Sequence, residues 1–296
     1  MPSILSADEI IEIAGGRLAQ GLVPSESGRI VTDTRQDLEG AWFLALQGQV
    51  YDGHDFLGDA YSGGAIGCIV EERQNYPLPA EAPFPLIAVP ETLIALRDLS
   101  RNWRRRLALK MILVVSAERE RAFGLASYTA KILSSRFPTK LIDFSTSPGN
   151  PLSELIALDE STQFVVASMV PPCIDDVLFE SAALCPNTLI FTDEPFAYMR
   201  LTTTPEELEN GMTNLLSSMD RRPGLVLACG TAAAVVRGFE MPHNATFKAF
   251  PGAASSLHLT GDGEEHFMPS AEESWCVAEV CKDCGIPDDI IYGAFV

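Results

Sequence analysis

The sequence predicts a two-domain α/β protein, with a small mixed α/β module over residues 1–108 followed by a parallel-sheet domain over 109–296. Three observations carry that expectation. Short apolar runs rich in Val, Ile and Leu alternate with longer amphipathic segments, the pattern of strands buried on both faces and covered by helices. The length of 296 residues corresponds to two domains at roughly 150 residues each. At 47% hydrophobic and 21% charged residues, the composition is that of a chain able to bury a core, which excludes wholesale disorder.

The elements follow in order. Ser6 is placed to cap a helix over 7–14, with Asp8 and Glu9 in its first turn and Ile10, Ile11 and Ile13 on its apolar side. The runs 29–35 and 40–46 read as strands, 56–63 as a helix and 65–70 as a buried strand. Pro77, Pro79, Pro83 and Pro85 make 74–85 a loop, after which 86–89 is a strand and 90–107 a long amphipathic helix. The second domain opens with a strand at 111–115, a polar turn and a helix over 123–136. Strands at 164–167 and 188–191 flank a helix at 175–184. A strand at 224–230 follows, and a helix at 272–284 ends at Gly285, the residue type favoured just past a helix C-terminus. No internal repeat or low-complexity tract interrupts the pattern.

With 21 Lys+Arg against 40 Asp+Glu the net charge is −19, which argues against nucleic acid as a partner. No run of 18 apolar residues and no basic leader are seen, so neither a membrane span nor a signal peptide is expected and the location expected is cytoplasmic. The seven cysteines are an odd, scattered set, which favours reduced thiols. Cys276, Cys281 and Cys284 are spaced as metal ligands can be, but their place on an amphipathic helix and the lack of a fourth ligand favour core packing, and no metal is expected. Arg97, Arg101, Arg104, Arg105 and Arg106 with Lys110 read as one solvated helix face, an anion or partner patch being the alternative. His243, His258 and His266 lie in no catalytic frame, and the acidic run 261–265 between the last two reads as a surface hairpin. No catalytic residue is assigned.

The residues Thr32-Asp-Thr-Arg35, Gly40-Ala-Trp-Phe-Leu-Ala-Leu-Gln-Gly48, Asp52-Gly-His-Asp-Phe56, Gly63-Gly-Ala65 and Val89-Pro-Glu-Thr-Leu-Ile-Ala-Leu96 together resemble the N-terminal domain of the Mur ligases, most closely the MurF branch. The resemblance implies a domain that holds the UDP end of a nucleotide-sugar substrate, with Asp33, Thr34, Arg35, Gly48, Asp52, Gly53, His54 and Phe56 at the matching positions. An arginine fork suits phosphate or carboxylate oxygens, a hydroxyl suits a uracil edge, and glycine admits close backbone approach. Asp33 with Arg35, and Asp52 with His54, are equally consistent with turn and ion-pair residues that hold the domain together.

The resemblance also implies a central ATPase domain whose phosphate loop runs from strand to helix through Gly-Lys-Thr. Here the strand is followed by Ser116-Ala-Glu-Arg-Glu-Arg-Ala-Phe123. In register, Ser116 and Arg119 stand where the family has glycines, Glu120 where it has lysine and Arg121 where it has threonine. Side chains there block backbone approach to phosphate, and Glu118 and Glu120 repel it. Ala167 or Ser168 stands at the place of a magnesium-holding acid, Tyr198 at that of a metal-linked histidine, and no lysine occurs between Lys140 and Lys248 to serve as the family's carbamylated lysine. The final stretch, 272–291, resembles the end of the central domain, so the family's third domain is not expected. The expectation is a degenerate, P-loop ATPase-like central domain behind a Mur-ligase-like first module, in a pseudoenzyme without cofactor. It would bind a UDP-N-acetylmuramoyl-peptide-like precursor, or a protein partner in a cell-wall or related biosynthetic pathway. The alternatives are a purely structural or interaction protein, as a homodimer or scaffold, and a re-purposed enzyme independent of ATP.

Overall fold

The structure is a computed structural model that describes residues 4–48, 50–73, 75–78, 84–145, 149–194, 196–250 and 269–294. The chain divides into two compact units, one of residues 1–108 with 148–161 and one of 109–147 with 162–296.

The first unit opens with α1 (Ala7–Ala14), closed by a reciprocal capping box: the Glu9 N–H donates to Ser6 Oγ (3.3 Å) and the Ser6 N–H to Glu9 Oε2 (2.9 Å). The strands are β1 (Arg17–Gln20), β2 (Ile30–Val31), β3 (Trp42–Leu44), β4 (Gly67–Glu71) and β5 (Leu86–Val89), with a 3-10 turn at Gly53–Phe56 running into α2 (Leu57–Ser62), and α3 (Thr92–Arg106) after β5. They form one sheet in the order β1-β5-β4-β3-β2, parallel except for β1 against β5. The strands expected at 29–35 and 40–46 are shorter than their apolar runs, and β1, half-exposed and with one register shift, carries no strong alternation to betray it. Phe43, Leu57, Cys68, Val70 and Leu86 lie in the core on one side of the sheet. Gly67 is required by packing, since a Cβ there would stand 2.4 Å from Trp42 Cζ3 and 2.9 Å from the Pro85 carbonyl oxygen.

Helix α3 is covered by α1 and by the helix Gly149–Ile156. Ser100 Oγ donates to the Leu152 carbonyl (3.1 Å) and Trp103 Nε1 to that of Leu158 (2.8 Å). That corrects the reading of the arginine run as one solvated face. Arg104 lies beside Trp103 and one turn beyond Ser100, on the covered stripe, and is fully buried, while Arg105 and Arg106 are exposed.

The second unit carries a six-stranded sheet whose pairs are all parallel. In chain order its path is β6 (Lys110–Val115), α4 (Arg119–Ser134) and β7 (Thr139–Asp143), then α5, which is the first unit's Gly149–Ile156, then β8 (Phe164–Met169), α6 (Ile174–Leu184), β9 (Thr188–Phe191) and a 3-10 turn at Ala197–Leu201. It continues through α7 (Pro205–Ser217), β10 (Gly224–Cys229), α8 (Gly230–Val236), β11 (Ala245–Phe250), α9 (Ala271–Asp283) and α10 (Asp288–Gly293). The sheet order is β11-β10-β9-β6-β8-β7. Helix α4 begins four residues before its expected start, so the polar turn after β6 is short. Cys276 and Cys281 point into the core among Val277, Val280 and Leu133, and Cys284 packs against its edge. Burial pushes the Cys281 thiol up to about 12 and that of Cys284 to about 11. Pro79, Pro83, His258, His266 and the acidic run 261–265 lie outside the described residues. Among the described residues, no helix is long and apolar enough to cross a membrane.

Candidate functional site

In a parallel α/β sheet ligands gather at the carboxyl ends of the strands, where successive crossovers part to opposite faces. Here β6 is followed by β7 on the far side of β8, and β8 by β9 on the far side of β6, so with right-handed crossovers the switch falls between β6 and β8. The chain leaves β6 at the buried Ser116 and enters α4 at Arg119. Such a strand-to-helix turn aims backbone N–H groups, and the positive end of a helix, at a common point.

The acceptor at that point is the chain's own Asp193, two residues past β9. Ser116 Oγ donates to Asp193 Oδ2 (2.6 Å) and the Ala117 N–H to Asp193 Oδ1 (2.8 Å), while Arg121 Nη1 stands 3.8 Å from Oδ2. The Glu118 N–H is taken by Ser116 Oγ (3.1 Å). Burial pushes the Asp193 carboxyl above its usual range, against the pull of Ser116, Ala117 and Arg121. The loop's arginines are engaged inside the unit: Arg121 Nε lies 3.3 Å from Glu273 Oε1, and Arg119 Nη2 lies 2.9 Å from Asp143 Oδ2. Glu120 is exposed.

Ala167 and Ser168 are buried in β8, and the neighbouring β7 brings a carboxylate to the same edge. Ser168 Oγ donates to Asp143 Oδ1 (2.8 Å), and the Ser145 N–H to the same oxygen (3.0 Å). Burial opposes ionisation of Asp143, but these donors and Arg119 hold it below its usual value. From α6, Glu180 projects into the buried interior with no hydrogen-bond partner for Oε2. Burial, with Asp176 and Asp143 nearby, pushes Glu180 up to about 8. Tyr198 donates its hydroxyl to the Pro171 carbonyl (2.5 Å), and burial raises its pKa. Asp143, Glu180 and Asp193 are the residues that sequence reasoning missed. Asp143 ends β7, Glu180 lies within α6, and Asp193 stands two residues past β9; for Asp193 the signal was present, since it is the first acid after the apolar run 188–191.

The first unit's predicted residues fall into two hydrogen-bonded groups. Arg35 folds back on Asp33 in an exposed turn, its Nε 2.9 Å from Oδ1 and its Nη2 2.6 Å from Oδ2, with Thr34 between them. In the other group, Asp52 Oδ1 accepts from the His54 N–H (3.0 Å) and from ring Nδ1 (2.6 Å), and Asp52 Oδ2 lies 2.8 Å from Arg73 Nη2. His54 Nε2 accepts the Glu71 N–H (2.9 Å), which fixes a neutral ring with its proton on Nδ1 and clips the 3-10 turn to β4. Burial opposes ionisation of Asp52, yet the His54 and Arg73 contacts bring its carboxyl down to about 2. Gly53 sits where a Cβ would stand 2.7 Å from both N and O of Leu46, Gly48 donates its N–H to the Tyr51 carbonyl (2.9 Å), and Phe56 packs on the core.

The chain thus has one unit with a small mixed sheet and one with an all-parallel sheet whose strand-to-helix turn is filled by its own Asp193. No family model matches the chain. It is 35% identical over 86 residues to the UDP-N-acetylmuramoyl-tripeptide:D-alanyl-D-alanine ligase of Synechocystis sp., covering 28% of this chain and 18% of that protein. With the ligase of the same name from Haemophilus influenzae it shares 24% identity over 170 residues, 56% of this chain and 36% of the relative. The crystal structure of MurF from Acinetobacter baumannii superposes with a TM-score of 0.72 at 18% identity, covering 99% of this chain and 68% of that one. The chain's curated homologues are thus MurF ligases, and the solved structures it superposes on are MurF. It spans about a third or less of the length of these two curated relatives.

Proposed function

We propose that this chain is a MurF-like protein that does not ligate and acts by binding, with a UDP-N-acetylmuramoyl-peptide-like precursor as the ligand of its first unit. The observation that carries the reading is Asp193: its carboxylate accepts from the donors of the β6–α4 turn at hydrogen-bond distance, so a triphosphate entering there must displace a bound anion. It would also meet Glu118 and Glu120, and no lysine is at hand to offset their charge. The ligand half of the reading rests on the sequence relation to the MurF ligases and on the exposed Arg35 fork in the Thr32–Arg35 motif.

The test is calorimetric titration of the whole chain with UDP, UDP-N-acetylmuramoyl-tripeptide and Mg-ATP in parallel. Binding of the uridine ligands, lost in Arg35→Ala, with no heat from Mg-ATP is the expected result. Clear Mg-ATP binding overturns the non-ligating half. Silence from the uridine ligands at millimolar concentration overturns the precursor half.

A further inference from the structure

Between helices α7 and α8 and the 3-10 turn Ala197–Leu201 lies an open pocket of about 450 Å³ that takes no part in the sites above. It arises from how the two helices are held. Helix α7 packs on α6, where Gly211 admits Ile174 so closely that a Cβ would stand 2.1 Å from Ile174 Cδ1, while α8 packs on β10 and β11. The α7 stripe of Pro205, Leu208, Glu209 and Met212, spaced i, i+3, i+4 and i+7, is left lining the gap opposite Val235 of α8 and Phe239 just beyond it. Phe196 lines the gap as well. It is buried and held at φ +61°, a left-handed conformation that non-glycine residues adopt only when their surroundings impose it.

We propose that this pocket binds a small primary amine with an apolar body, its ammonium at Glu209 and its hydrocarbon part against Leu208, Met212, Phe196 and Phe239. The volume lies in the range of small-molecule sites, about 300–1,000 Å³, and the walls have the composition of such sites, apolar with a few polar groups. Charge decides the sign of the ligand. Arg200 of the lining is paired with Glu194, whereas Glu209 has no cationic partner among the described residues, so one negative charge at the pocket is left uncompensated. A carboxylate or phosphate would meet Glu209 as a like charge, a neutral alcohol would gain less from it than a cation, and a wholly polar cation would have to lie on apolar wall. Met212, with its flexible thioether, is the side chain best able to follow the shape of an alkyl chain.

This inference stands apart from precursor binding, and failure of either leaves the other intact. The test is calorimetric titration of the whole chain with hexylamine, butylamine and hexanoate at one ionic strength. Saturable one-to-one binding of hexylamine is expected, tighter than that of hexanoate by at least about tenfold and tighter than that of butylamine by up to about fourfold per methylene. Glu209→Arg, at an exposed position, reverses the preference so that hexanoate binds better than hexylamine. The variant chain is still strongly acidic, so a general attraction of cations to the protein cannot produce that reversal. Leu208→Trp fills the pocket and abolishes binding of both, with circular dichroism to show that the chain is folded; should it not fold, Glu209→Arg alone decides. Hexylamine that does not saturate below about 20 mM, that binds no better than hexanoate, or whose affinity survives Glu209→Arg overturns the proposal. So does a chain that light scattering finds to be a dimer and that Glu209→Arg dissociates, because a second copy then occupies the pocket.

Discussion

At the scale of single residues, the decisive groups are carboxyls whose partners were written far away in the chain. Asp193 stands 77 and 76 positions along the chain from the Ser116 and Ala117 donors that hold it. Asp193→Ala leaves the Ser116 hydroxyl and the Ala117 N–H without their acceptor, and is expected to cost about 2 kcal/mol in urea unfolding; an unchanged midpoint would show the turn is held by something else. Glu180 gives a pH signature. The unfolded chain ionises it near 4.5, whereas the folded chain keeps its proton up to about 8. Its contribution is therefore whole below pH 4.5 and is lost as pH rises to about 8, by an amount of the order of 4 kcal/mol. Glu180→Gln has no proton to lose, so its unfolding free energy should fall less between pH 5 and 8 than that of the wild type. Parallel slopes for the two proteins would contradict the placement of Glu180. Sequence reading named Asp52 and His54 but could not show that both ring nitrogens of His54 are occupied within the unit, since one of them meets a backbone N–H 17 residues on.

At the scale of elements, local chemistry was legible where it was local. The Ser6–Glu9 spacing announced α1, and Ser6→Ala is expected to cost about 1 kcal/mol of stability, read as a lowered melting temperature. The same spacing recurs as Thr204–Glu207 before α7 and Ser270–Glu273 before α9. It was the available signal for α7, which the apolar periodicity did not reveal. β7 and β11 went unseen because their buried and exposed positions do not follow the continuous apolar run that marks the central strands. Gly67 shows the limit of a one-dimensional reading: it looks like a weak point in a strand, yet the Trp42 ring lies where its side chain would be. Gly67→Ala should destabilise the first unit by about 1–3 kcal/mol, and a neutral substitution would mean the ring gives way freely.

At the scale of the molecule, the two units have separate cores, but the chain does not finish the first before starting the second. Residues 148–161 are counted with the first unit; their helix α5 supplies an acceptor to Ser100 and a side-chain partner to Thr32, whose Oγ1 donates to Ser153 Oγ (2.9 Å), and Leu158 just beyond it supplies the acceptor of Trp103. A reading along the sequence sees only contiguous runs, so a short helix with Pro151 inside it, leaving one sheet to cover the helix of another, has no local mark. A fragment of residues 1–108 keeps its sheet but loses the cover on α3, with the Trp103 indole N–H and the fully buried Arg104 turned out to solvent. Such a fragment should melt below the first unit of the whole chain and show a red-shifted Trp103 emission, and a peptide of residues 148–161 added in trans should reverse both. If 1–108 alone unfolds with the cooperativity and midpoint that hydrogen exchange finds for these residues in the whole chain, the segment 148–161 is dispensable to the first unit and its three hydrogen bonds contribute nothing net.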